Sequence, residues 1–191
     1  MSCKKNIILF VIISLFLSCS FYSFKGSLPP NVNSIYFSPV VNLTSEYILT
    51  NILNNKINDR LISENILDVV DFTSTDSQLD VTIIASTDKP NIYHSQDDNY
   101  ERVEQWKLKI DFKIIWYNIT NDEIIIDNKV SEWAMYNNSG IDISNDGIDN
   151  DNDGFTDSED SDEFGSPREA AIRIITDKIT DRVLNELISI W

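Results

Sequence analysis

From Trp106 to Trp116 apolar and polar residues alternate almost without a break. Trp106, Leu108, Ile110, Phe112, Ile114 and Trp116 hold the even positions, and the odd ones begin Lys107, Lys109, Asp111 and Lys113. Side chains on a strand point alternately to opposite faces, so this is a half-buried strand with one wholly apolar face. Such a face needs a second layer to cover it. Glu123 to Tyr136 follows across Thr120-Asn121-Asp122 and can pair back as a hairpin.

Other elements surround this hairpin. Val32 to Val40 reads as a first strand, stiffened before it by Pro29-Pro30. Thr44 or Ser45 can cap a helix whose apolar residues are Ile48, Leu49, Ile52, Leu53, Ile57, Leu61 and Ile62, and Asn65 suits a left-handed stop. Ile66 to Phe72 is a second strand. Gln78 to Ser86 is a third, with Leu79, Val81, Ile83 and Ala85 on one face. Lys89 to Tyr100 is a polar hairpin connection or a strand extension. Ser166-Pro167-Arg168-Glu169 forms a capping box with proline at the first helical position, and apolar residues from Ala171 to Ile188 line one face of that last helix. The order β-α-β-β-β-β-α predicts an α+β two-layer sandwich, a mostly antiparallel or mixed sheet with both amphipathic helices on one face.

The beginning of the chain carries an address. Lys4 and Lys5 precede an apolar run from Ile7 to Leu17, too short to span a bilayer but suited to a signal peptide. Leu17-Ser18-Cys19 at its end resembles a bacterial lipobox, with Phe16 a mild departure from it. That divides the chain into a signal peptide (1–18), a lead next to the lipid (19–30) and one domain (31–191) with an acidic insertion (138–165). Acylated Cys19 would tether the domain to a membrane, since each buried CH₂ adds about 0.8 kcal/mol. Cys3 leaves with the signal, so the mature chain keeps no thiol for a disulfide, a metal or catalysis.

The net charge of −16 argues against nucleic acid as a partner. Ten of the acidic residues fall between Asp142 and Glu163, where there is no Lys or Arg. An enzyme is poorly supported: the one histidine is His94, and there is no Gly-rich phosphate loop and no Gly-x-Ser-x-Gly elbow. Lys107, Lys109 and Lys113 make a basic stripe with two readings. It is a soluble sheet face paired with neighbours such as Asp127 and Glu132, or a contact for anionic groups.

The acidic insertion has its own regularity. Asp149, Asp151, Asp153, Asp157 and Asp160 alternate around Gly154, with the Phe155 carbonyl available between them. Ca²⁺ takes six to eight hard oxygens, and a glycine at the sixth position permits the sharp turn. The run resembles an EF-hand loop without its helices, and more closely a thrombospondin type 3 repeat. Asp142, Ser144 and Asp146 begin a weaker upstream copy. The competing reading is a solvated acidic insert.

Cys19, then Tyr22-Ser23-Phe24-Lys25-Gly26, then Leu28-Pro29-Pro30 with Val32, Ser34 and Ile35, then Pro39, Asn42 and Thr44 before a helix together resemble the LptE-like lipopolysaccharide-assembly lipoproteins. The resemblance is specific over Cys19 to Thr44 and holds by pattern alone beyond it. It implies a non-enzymatic outer-membrane lipoprotein on the periplasmic side of a Gram-negative-type bacterium. Its partners would be a LptD-like β-barrel, in whose lumen the lipoprotein sits, and lipopolysaccharide. The family has no acidic insertion at this place. From another class, the expectation is a lipid-anchored lipoprotein binding a soluble ligand or polymer through its calcium loop.

Overall fold

A computed structural model of the chain describes residues 29, 31–97, 100–137 and 165–189. The elements are β1 (Ser34–Phe37), β2 (Val41–Asn42), α1 (Tyr47–Glu64), β3 (Asp68–Val69), a 3₁₀ turn (Phe72–Ser74), β4 (Ser77–Asp97), β5 (Tyr100–Asn118), β6 (Glu123–Asn137) and α2 (Pro167–Ile188). They form the expected α+β two-layer arrangement. One mixed sheet runs in the order β3-β1-β4-β5-β6, with β2 also on β4. The three short strands pair in parallel, while β4, β5 and β6 form an antiparallel meander.

The apolar row of β5 is the centre of the core. Leu108, Ile110, Phe112, Ile114 and Trp116 are fully buried against Leu49, Leu53 and Ile57 of α1 and Ile175, Ile179 and Val183 of α2. Ile48 and Ile62, expected on the inner face of α1, are more than half exposed. The two helices run parallel. Arg168 bonds Glu46, Lys56 pairs with Asp177 and Arg60 with Asp181, and a separation of 121 or 122 residues in all three fixes one register along both helices.

The short strands differ from their expected lengths, and proline with side-chain competition explains why. The strand expected over Val32 to Val40 breaks after Phe37. Pro39 has no N–H, and the Val40 N–H donates to Asn54 Oδ1 at 2.8 Å instead of to a strand. The strand expected over Ile66 to Phe72 pairs only at Asp68–Val69, because β1, its only neighbour among the described residues, is four residues long. Thr44 and Ser45 do not cap α1. The N-cap is Glu46, whose side chain makes no capping bond to the helix. Asn65 does end the helix left-handed, at φ 48°. The capping box of α2 forms as read, with Ser166 and Glu169 serving each other's backbone N–H.

One bulge redirects half a strand. Up to Ile83, odd residues of β4 lie opposite even residues of β5, as in Val81 with Ile114. Between Ile83 and Ala85 the register shifts, so Ala85 faces Asp111, and Ser86 and Asp88 face Ile110 and Leu108. Ala85 therefore lies on the outer face, against expectation, and Asp88 is turned to the helix side. The extension reading of Lys89 to Tyr100 holds, since β4 continues to Asp97. Its 21 residues span about 70 Å.

The sheet has two distinct poles. At one, the chain enters through Pro29, whose carbonyl accepts from Val32 N, close to the start of β4 and the end of β5. At the other lie the N-termini of both helices and the far end of the β4–β5 hairpin. Pro29 therefore lies at the opposite pole from the N-termini of both helices.

Candidate functional site

Three surfaces stand out. The first is the outer face of the meander, which no helix covers among the described residues. Here Lys107, Lys109, Lys113, Lys129 and Lys89 share a face with Asp80, Asp111 and Asp127. Lys113 pairs with Asp127 at 2.8 Å, as expected of a soluble sheet face. Glu132 does not take part, since it lies opposite Ile110 on the helix side. Lys109 instead bonds Asp111 at 2.7 Å. That contact, together with the Ser131 hydroxyl, holds the Asp111 carboxyl below its usual range. Trp133 lies between two ammonium groups, Lys107 at 4.0 Å and Lys178 at 5.2 Å from the ring centroid. Lys178 reaches round from α2 and donates to the Trp133 carbonyl at 3.0 Å, blunting the open edge of β6.

The second is the corner between β2 and α1. Asn42 organises it. Its Oδ1 accepts from the Thr44 N–H at 2.9 Å and the Thr44 hydroxyl at 2.8 Å, and its Nδ2 donates to the Glu46 carbonyl and to Thr50 Oγ1. Thr44 Oγ1 in turn accepts from Glu46 N. The Asn42-x-Thr44 pair thus builds the approach to α1 as a side-chain-closed turn. That turn leaves Val41, Leu43, Tyr47 and Ile48 at 52, 67, 80 and 51% exposure.

The third is at the helix N-termini. Arg168 extends between two carboxylates. Its Nε and Nη2 donate to Asp88 Oδ2 at 3.1 and 2.9 Å, and Nη2 and Nη1 donate to the Glu46 carboxylate at 2.6 and 3.3 Å. Glu46 above all holds Arg168 firmly charged. The Tyr136 hydroxyl donates to Asp88 Oδ1 at 2.9 Å, and burial with that bond pushes its pKa up to about 12. Beside this cluster a cleft of about 420 Å³ opens, walled by Trp106, Tyr136 and Pro167. Nothing in the sequence pattern signals this site, because it depends on the β4 bulge and on two helix starts 122 residues apart.

Cys19 lies outside the described residues. So do all the calcium-loop positions, Asp149, Asp151, Asp153, Phe155, Asp157 and Asp160, and the upstream Asp142, Ser144 and Asp146. His94 belongs to β4, with Arg102 opposite it in the ladder. Among the described residues no group of three or more His, Cys, Asp or Glu side chains could hold a metal ion. No helix among them is long and apolar enough to cross a membrane.

No family model matches the chain, and no curated protein matches it. Solved structures do. A hypothetical protein from Chlamydia trachomatis is similar at 11% identity and a TM-score of 0.48, over 82% of this chain and 98% of that one. The rare lipoprotein B from Shewanella oneidensis is similar at 15% identity and a TM-score of 0.44, over 82% and 95%. A minor lipoprotein from Acinetobacter baumannii is similar at 7% identity and a TM-score of 0.45, over 83% and 94%. Two of the three are bacterial lipoproteins, and none is described by an enzymatic activity.

Proposed function

We propose that this chain is a non-enzymatic, lipid-tethered outer-membrane protein that partners a β-barrel in lipopolysaccharide assembly. The observation that carries this reading is the corner at Asn42. Four large apolar side chains are held outward by a turn whose polar groups are satisfied internally. Exposed apolar patches of this kind mark interaction surfaces. A patch already rigid before contact loses little entropy on binding. The same residues, Asn42 and Thr44, belong to the sequence resemblance. The outer sheet face, with Trp133 between lysines, adds a surface suited to the phosphates of the glycolipid.

The test places a photoreactive phenylalanine analogue at Tyr47 in the full-length protein in its own cells. Irradiation should yield one predominant adduct with a β-barrel protein, recovered in stable ratio after gentle detergent extraction. Recovery of the protein alone, without a barrel adduct from Tyr47 or Leu43, would refute the partnership.

A further inference from the structure

We propose that the cleft beside Arg168 binds a neutral pyranose sugar, stacked on Trp106 and Tyr136. The helix-side row of β5 outruns the helices that cover it. Leu108 is fully buried, whereas Trp106, the next residue of the row, is only half-buried. Tyr136 lies directly opposite Trp106 on β6, and Pro167 begins α2 beside them. Two adjacent rings and a proline make an apolar wall at the side of an open cleft of about 420 Å³, within the size range of small-ligand sites.

The polar groups decide among ligand classes. An anion is disfavoured, because Arg168, the only cation lining the cleft among the described residues, already directs four donor contacts at Glu46 and Asp88, and the three groups together carry a net negative charge. A cation is disfavoured because Asp88, the carboxylate among the described lining residues, is already partnered by Arg168 and Tyr136. A neutral ligand escapes both penalties. A sugar ring offers apolar C–H faces to the aromatic wall and hydroxyl groups round its edge. Those hydroxyls can donate to the remaining lone pairs of Asp88 and exchange bonds with Asn137 and Ser166, which also line the cleft. A proline-rich peptide suits the rings but supplies few donors for the Asp88 carboxylate. The sugar could come from a soluble glycan or from the head group of a glycolipid, and the chemistry at the cleft is the same.

The experiment uses the full-length acylated protein in a sugar-free detergent. Saturation-transfer NMR is run against a panel of neutral hexose and N-acetylhexosamine oligosaccharides, each free and lipid-linked. Phosphorylated sugars and a proline-rich peptide serve as competitors. Transfer to ring protons of a neutral sugar is expected, with affinity falling about tenfold in Trp106→Ala. It should be largely kept in Trp106→Phe, which preserves a ring and guards against misfolding, and unchanged in Trp133→Ala on the outer face. Binding of the free form assigns a soluble glycan, and binding only of the lipid-linked form assigns a glycolipid, provided Trp106 is required. No binding across the panel, binding indifferent to Trp106→Ala, or preference for the phosphorylated sugars or the peptide each overturns the proposal.

Discussion

Asp76 ties the pole where the chain enters to the rest of the sheet. Its Oδ2 accepts the backbone N–H groups of Asn33 at 3.1 Å and Ser34 at 3.2 Å, more than 40 residues away. Its own N–H donates to Ser34 Oγ at 2.9 Å, and its carbonyl accepts from Ile119 N at 2.8 Å. One residue thereby joins the start of β1 to the turn after β5. Asp76→Ala removes two charge-assisted bonds and leaves two backbone donors to water. Bonds to charged groups contribute about 1.5–3 kcal/mol each when shielded. Solvent around this half-exposed carboxylate reduces the pair to about 1.5 kcal/mol in total. For a domain of this size that is about 3–6 °C in Tm.

The pH dependence supplies the sharper test. The Asn33 N–H, with the Ser34 hydroxyl behind it, holds the Asp76 carboxyl below its ordinary value of 3.8. The unfolded chain therefore takes up this proton at a higher pH than the native one. The contribution is complete above the unfolded value and is lost as pH falls through the lower, folded one. Urea unfolding followed by circular dichroism at neutral pH and at about pH 2.5 should show the gap between parent and Asp76→Ala closing in acid. A gap under about 0.3 kcal/mol at neutral pH, or one unchanged in acid, would refute the reasoning.

Trp116 is fully buried, and its indole Nε1–H has no acceptor among the described residues. Trp116→Phe removes an orphaned donor that costs about 1–3 kcal/mol and opens a small cavity of similar cost, so its stability by urea unfolding should stay within about 1 kcal/mol of the parent, against a loss of about 3–5 for Trp116→Ala. Cys19→Ala should abolish labelling by a clickable fatty acid and release the protein from membranes, and equal labelling of both forms would end the lipobox reading. Calorimetric titration with Ca²⁺ should show binding at about 10⁻⁴ to 10⁻³ M, lost when Asp151 and Asp153 are both changed to Ala. No heat in millimolar Ca²⁺ would leave the insertion a solvated acidic segment.

Much of the frame was determined by the sequence alone, because it is local. The even-numbered apolar row of β5 follows from period-two geometry, and every member from Leu108 to Trp116 is fully buried. The α2 capping box and the left-handed Asn65 also follow from chemistry within a few residues. The hairpin of β5 and β6 forms where the turn residues put it, with Asp122 at positive φ. What the chain could not reveal was non-local. β1, β2 and β3 are as short as they are because their pairing partners run out or side chains claim their N–H groups, and a window along the sequence contains neither fact. The alternation through Leu79, Val81 and Ile83 continues smoothly to Ala85 in the sequence, yet the bulge opposite Asp111 reverses it. That reversal turns Asp88 toward the helix side, where Tyr136 and Arg168 meet it. Glu46 and Arg168 each read as ordinary charges at a helix start. Only the parallel packing of α1 and α2 brings them to 2.6 Å. Periodicity records which face a residue turns to the core, whereas the meeting of faces from distant segments is decided by packing.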